Sequence, residues 1–218
     1  MNQAASAALG DASSAARSLR TALRLATLPA HTRLHGHPGL GAVQAGTIDR
    51  VAYRALLARL YGFHVPFETA VGIEPERSQW LAADLRTLGL DEHAIAALPR
   101  CGTIPRLETE PRRLGATYVV EGSTLGGREL AKRLDHLFGP SITDGRQFFS
   151  GRAADTGRAW RAFLDRLERP ADDDATSADI IAAAQETFAT FEQWVEDWND
   201  AAAGPQLPGV AQGVASPR

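Results

Sequence analysis

The segment Tyr118-Val119-Val120-Glu121-Gly122-Ser123-Thr124-Leu125-Gly126-Gly127-Arg128 places three glycines inside what otherwise reads as a helix. Leu114, Val120, Leu125, Leu130, Leu134 and Leu137 follow a roughly helical period, and Arg128 to Arg133 holds only helix formers. Each glycine costs about 1 kcal/mol relative to alanine in a helix interior, so three cost on the order of 3 kcal/mol. A typical domain is stable by only roughly 5–15 kcal/mol. Gly122 and Gly126 are four apart and share a face. That bare backbone lets something flat and bulky approach closely, or lets the helix bend. An ordinary loop or a kinked core helix is the competing reading of the same residues.

The rest of the chain reads as all-α and single-domain. A helix from about Ser13 to His35 is stopped by Gly36, Pro38 and Gly39. Another runs from Thr47 to Phe63, with Val51, Leu56, Leu57, Leu60 and Phe63 inward, and can continue past a kink at Pro66. Ser78 is the expected N-cap of a helix to about Leu88, and Asp91 opens a shorter one before Pro99. Pro99 to Arg112 reads as a loop, and the glycine-bearing helix then extends to Phe138. Asp155 is placed as the cap of a helix through Trp160, Phe163, Leu164 and Leu167. Ile181, Ala184, Phe188, Phe191, Val195 and Trp198 alternate steps of three and four, which gives one apolar stripe. Ala116 to Val120 could pass for a short strand, but nothing nearby would pair with it. Residues 1–12 are expected to be a flexible start, 13–203 the helical domain and 204–218 a disordered tail rich in proline and glycine.

At 218 residues the chain can bury a substantial core. A net charge of -3 gives no reason to expect nucleic acid or an anionic membrane as partner. Neither a leader nor a membrane-spanning stretch is read in the chain. The single cysteine, Cys101, excludes an intrachain disulfide and suits a reducing cytoplasm. It falls in Pro-Arg-Cys-Gly-Thr, a loop without obvious shielding, and reads as an inert or structural thiol. Asp172-Asp173-Asp174 reads as a solvated linker rather than a metal site.

His31, His35 and His37 cluster, with His31 and His35 one helical turn apart. A helical His-x-x-x-His is a zinc half-site, but no second ligand pair follows. His31 alone reads as a surface or capping histidine as readily as a ligand. The glycines could cradle phosphate, yet a P-loop needs Gly-Lys-Ser/Thr where this chain has Gly127-Arg128-Glu129.

Leu23-Arg24-Leu25-Ala26-Thr27-Leu28-Pro29-Ala30-His31-Thr32-Arg33-Leu34 resembles the N-terminal helix of the heme oxygenases, where an Ala-Thr-x-x-x-His run supplies the proximal iron ligand. The glycine segment resembles their distal helix, with its Gly-x-x-x-Gly-Gly pattern. The two blocks lie about ninety residues apart, as in that family. With Phe148-Phe149 and the basic helix that follows, the resemblance spans roughly residues 15–200 and is closest to the bacterial enzymes that feed bacteriophytochromes. It implies a heme-oxygenase-like helical bundle with His31 on the iron. Arg24 and Arg161 would meet the heme propionates, and Thr117 or Tyr118 would supply a hydroxyl. Gly122, Ser123 and Gly126 would face bound oxygen, and Gly127 would join the residues contacting heme. Ser123 stands where many animal enzymes carry a distal aspartate that organises water.

The implied activity cleaves heme to biliverdin, carbon monoxide and ferrous iron, using O2 and electrons from a reductase or ferredoxin. Heme is then both substrate and cofactor, and a bacteriophytochrome is a possible recipient. A heme-binding or heme-transfer protein without turnover is the first alternative. The second is a thiaminase-II-like protein of the same fold, for which Cys101 would have to serve as nucleophile.

Overall fold

The computed structural model describes residues 3–152, 155–168 and 174–196, with side chains from residue 19 onward. Ten helices and no strand occur among the described residues. Asp172 and Asp173, Trp198 and the 204–218 tail lie outside them, as do the first two residues of the expected flexible start.

Helix α1 (Gln3–His35) begins earlier than the Ser13 start expected from the sequence, and it passes through Pro29. Proline has no N–H to return to Leu25, so the helical ladder is interrupted one turn before the His31–His35 end. The Gly36-Pro38-Gly39 breaker becomes a new start rather than a loop. Pro38 occupies the first turn of α2 (Pro38–Ala45), where no N–H is needed, and the His37 side chain accepts from Leu40 N.

Helix α3 (Arg50–Val71) is capped by Asp49, which accepts from the amides of Val51 and Ala52 at 2.8 Å each. It runs on through Pro66 and closes at Gly72, whose φ of 74° suits glycine. Val51, expected inward, lies 62% exposed at the solvent side of the first turn.

Helix α4 (Glu76–Thr87) corrects the placing of its cap. Ser78 is inside the helix and buried, with its hydroxyl bonded to Pro75 O. The buried carboxylate of Glu68, from α3, caps the new helix instead, accepting from Arg77 N at 2.7 Å and Ser78 N at 3.2 Å. Asp91 caps α5 (Glu92–Ala96) as expected.

Helix α6 (Glu110–Lys132), capped by Thr109, carries the glycines and takes in the Ala116–Val120 stretch. It ends before the expected Phe138, which belongs to the separate short turn α7 (Asp135–Phe138). Then follow α8 (Gln147–Ser150) with the two phenylalanines, α9 (Thr156–Glu168) and α10 (Asp174–Glu196). Asp155 stands just ahead of α9 and pairs with Arg158.

The apolar stripe of α10 forms a floor. α6 lies along it, and so does α1 on the other side, with Leu19, Leu23, Ile180, Ala184 and Phe188 in one cluster. The approach of α6 is close because position 115 has no side chain: a Cβ there would collide with the Ile180 carbonyl. α3 and α4 pack behind α6, and Phe63 and Phe67 fill the space under Ala116 and Val120.

Candidate functional site

On α1, Arg24, Leu28, His31 and His35 recur at steps of four, three and four, and so share a face with Thr27 at its edge. On α6, Tyr118, Gly122 and Gly126 recur at steps of four, with Leu125 beside them on the same face. The two faces come together where Tyr118 lies close enough to Thr27 and Arg24 for both to act on its phenol. Burial pushes that phenol upward in pKa, with Thr27 and Arg24 opposing. Thr117, the other hydroxyl considered, is turned away. It donates to Arg113 O at 2.7 Å and lines a cavity on the opposite side of α6 with Arg77, Glu121 and Arg152.

His31 is exposed, and neither ring nitrogen has a hydrogen-bond partner among the described residues. Its ring meets His35 edge-on, with centroids 4.6 Å apart. Partial burial and the neighbouring His35 hold its pKa below the ordinary value, which favours the neutral imidazole that can ligate a metal. Four of the other five histidines are engaged elsewhere, and His93 lies on the short helix α5, away from the two faces. His35 meets Gln44, His37 meets Val195 O, His136 meets Ile48 O, and His64 is sealed among Phe63, Phe67 and Phe148.

The glycines of α6 divide by face. At Gly126 a Cβ would meet nothing within 4 Å, and at Gly122 it would meet only the Trp160 ring at 3.8 Å. At Gly127 it would collide with the Phe149 carbonyl, so this buried glycine lets α8 pack on α6. Gly127 therefore points away from the face shared by Gly122 and Gly126. Ser123 is exposed, and its hydroxyl donates to Val120 O at 2.8 Å. In that rotamer it can accept a hydrogen bond from a water but has no proton left to offer.

Trp160, from α9, stacks on Phe163 and tilts against Tyr118. Arg161 is the next residue. Arg24 and Arg161 are both exposed, and neither forms an ion pair among the described residues. Nearby arginines do: Arg20 pairs with Glu168, Arg33 with Glu192 and Arg166 with Glu110. Leu28 and Leu125, 47% and 48% exposed, add apolar surface to the two faces. Free imidazole, bare backbone, exposed leucines and two unpaired guanidinium groups fit a flat apolar macrocycle that carries carboxylates and a metal.

No sequence signal points to the buried ionic cluster behind α6. Arg77, 3% exposed, lies 2.9 Å from the Glu121 carboxylate, and Arg152 joins Glu121 at 3.1 Å and Glu76 at 2.8 Å. Each of these residues is ordinary surface composition when read singly. Cys101, expected in an unshielded loop, is buried beside Phe63 and Phe67, with its sulfur 3.5 Å from the Thr103 hydroxyl. The Thr103 hydroxyl is the one hydrogen-bond partner of the thiol among the described residues, and it is not a base.

Among the described residues no helix is long and apolar enough to cross a membrane. The family profile described as heme oxygenase matches residues 17–197. A protein named heme oxygenase from Xanthomonas campestris pv. campestris (strain 8004) is 32% identical over 167 residues, which cover 69% of this chain and 92% of that protein. Heme oxygenase-1 from the cyanobacterium Synechocystis sp. PCC6803, solved in complex with heme, shares the fold. It superposes with a TM-score of 0.64 at 18% identity, over 85% of this chain and 94% of that one.

Proposed function

This chain belongs to the heme oxygenase family, and from that premise we propose that it seats heme between the His31 face of α1 and the Gly122–Gly126 face of α6. Heme when bound is both substrate and the oxygen-activating group, and the reaction yields biliverdin, carbon monoxide and ferrous iron from heme, O2 and externally supplied electrons. The observation that carries the seating is His31, an exposed imidazole kept neutral and without a hydrogen-bond partner among the described residues, set one turn from Thr27 where α1 approaches the glycine helix.

His31 would hold the heme iron through a neutral ring nitrogen. Arg24 and Arg161 take the two propionates, and the guanidinium fork matches a carboxylate bidentately. Tyr118 closes the slot and offers its hydroxyl at the Arg24 end. Gly122 and Gly126 admit the ligand close to the α6 backbone, and Leu28 and Leu125 exclude water from its faces. Ser123, whose hydroxyl already donates to Val120 O, would accept from a water and so orient it without donating. Electrons come from a reductase or ferredoxin, the compartment is the cytoplasm and a bacteriophytochrome is the proposed recipient of the product. The single cysteine supports the compartment assignment.

Hemin titration followed by absorption spectroscopy tests this reading. The expected result is near one-to-one binding with a histidine-ligated ferric spectrum, which His31→Ala abolishes while helicity is retained. Loss of that spectrum in His35→Ala or His37→Ala, with His31→Ala unaffected, would move the ligand elsewhere.

A further inference from the structure

Behind the glycine face, the charges of Arg77, Glu121, Arg152 and Glu76 join three segments of the fold, and Glu68 ties in a fourth through backbone amides. Glu68 of α3 accepts the first amides of α4 at Arg77 and Ser78. The Arg77 side chain then reaches Glu121 of α6, 2.9 Å away. Arg152, in the segment that leads to α9, bonds the other Glu121 oxygen and turns back to Glu76 on α4. Glu121 is 8% exposed and Arg77 3%, so both charges are held out of water.

The cluster meets α6 at its softest point. Glu121 is followed by Gly122. Ser123 and Thr124 each donate a hydroxyl to the carbonyl three residues back, Val120 O at 2.8 Å and Glu121 O at 2.6 Å. Such side-chain bonds compete with the helical ladder and permit bending. Gly126 and Gly127 follow within one turn. Left to its own propensities, this stretch would not hold one path.

We propose that Glu121, acting through Arg77 and Arg152, is a positioning residue that fixes the path of α6 through Gly122–Arg128 and so sets the height of the glycine face above the ligand. Neither arginine touches that face. Both act from the opposite side of the helix, one residue from Gly122. The ligand part of the inference rests on the heme reading, whereas the fixing of the helix does not.

The test has two arms. In ligand-free protein, Glu121→Gln should raise amide hydrogen exchange across Gly122–Arg128 by at least about tenfold, with the rest of α6 much less affected. Arg152→Gln, which removes one of the two arms and stays clear of the core, should act in the same direction more weakly. Glu110→Gln, at the start of the same helix, should leave those amides unchanged. In the ferric hemin complex, imidazole should bind Glu121→Gln about tenfold more tightly relative to cyanide than it binds the parent protein, because only the bulkier ligand gains from a raised helix. Exchange at Gly122–Arg128 that is unchanged in both variants would overturn the proposal. So would faster exchange with an unchanged imidazole-to-cyanide ratio, which would leave Glu121 a merely structural residue. Failure of the parent protein to take hemin would sink the heme reading, with the exchange arm still deciding whether Glu121 fixes the helix.

Discussion

Three titrating side chains have consequences that can be measured separately. His31 is kept neutral by partial burial and by His35. Removing His35 raises the His31 pKa toward its ordinary value, and protons then compete with iron at a higher pH. His35→Asn should therefore shift the acid loss of the histidine-ligated hemin spectrum upward in pH, and an unchanged midpoint would show that His35 does not act on the ligand. Asp84 and His64 oppose one another in stability. Asp84 accepts the amides of Gln147 and Phe148 to cap α8, and burial pushes its carboxyl up to about 7. Burial and the Arg77 charge push His64 down to about 3. Between about pH 4 and 6.5, where a free aspartate is ionised and a free histidine protonated, the folded chain holds a proton on Asp84 and withholds one from His64. The first makes stability fall as pH rises, and the second makes it rise, so the two slopes offset. Denaturation of Asp84→Asn across this window should show stability climbing with pH, and His64→Gln should show it falling, each approaching about 1.4 kcal/mol per pH unit. Two variants with the parent's flat profile would refute both assignments.

The glycines of α6 sort by what a methyl group would meet. Gly115→Ala and Gly127→Ala push a Cβ into the Ile180 and Phe149 carbonyls, and each should destabilise by about 1–3 kcal/mol, the usual range for overpacking. Gly126→Ala meets open space and should stabilise by about 0.5–1 kcal/mol, whereas Gly126→Leu should weaken hemin binding or stop biliverdin formation with helicity intact. Thermal melts alongside hemin titrations separate the two classes, and full activity in Gly126→Leu would make that glycine irrelevant to the ligand. The sequence could not have sorted them, because spacing shows which glycines share a face but not which neighbour lies against it. Periodicity did reveal the helices themselves, since the apolar repeats of α3, α6 and α10 are long and regular. It erred at their ends. Ser78 looks like a cap because serine often is one, yet Glu68, ten residues earlier, reaches over from α3 to do that work. Pro38 looks like a stop and is a start, because a proline in the first turn loses nothing. In the site, His31 and Arg24 were readable as one face of one helix. The Arg77–Glu121–Arg152 cluster was not, since its members meet only through tertiary packing.

At the scale of the molecule, the proposed seating places heme between α1 and α6, elements remote in sequence, which it would link. Hemin that binds only the folded chain should raise thermal stability by about 2.7 kcal/mol at a hundredfold excess over its Kd. Arg24→Ala with Arg161→Ala should reduce that gain and broaden the mixture of biliverdin isomers, because heme can rotate in its plane once its carboxylates are unanchored. Chromatography of the extracted product reads the second effect directly, and a parental isomer profile would leave apolar contacts as the orienting force. The two walls are unequally secured. α6 is held to α10 at Gly115, to α8 at Gly127 and to α3 and α4 by apolar packing and the charge cluster. α1 rests on α10 through the Leu19–Leu23 cluster and the Arg33–Glu192 pair, and is interrupted at Pro29 between those two attachments. α1 is the less anchored wall, and the backbone hydrogen bond it lacks at Pro29 falls just ahead of His31. On the proposed seating, iron held by His31 would tie the less anchored wall to the better anchored one, and a product without iron would leave them untied.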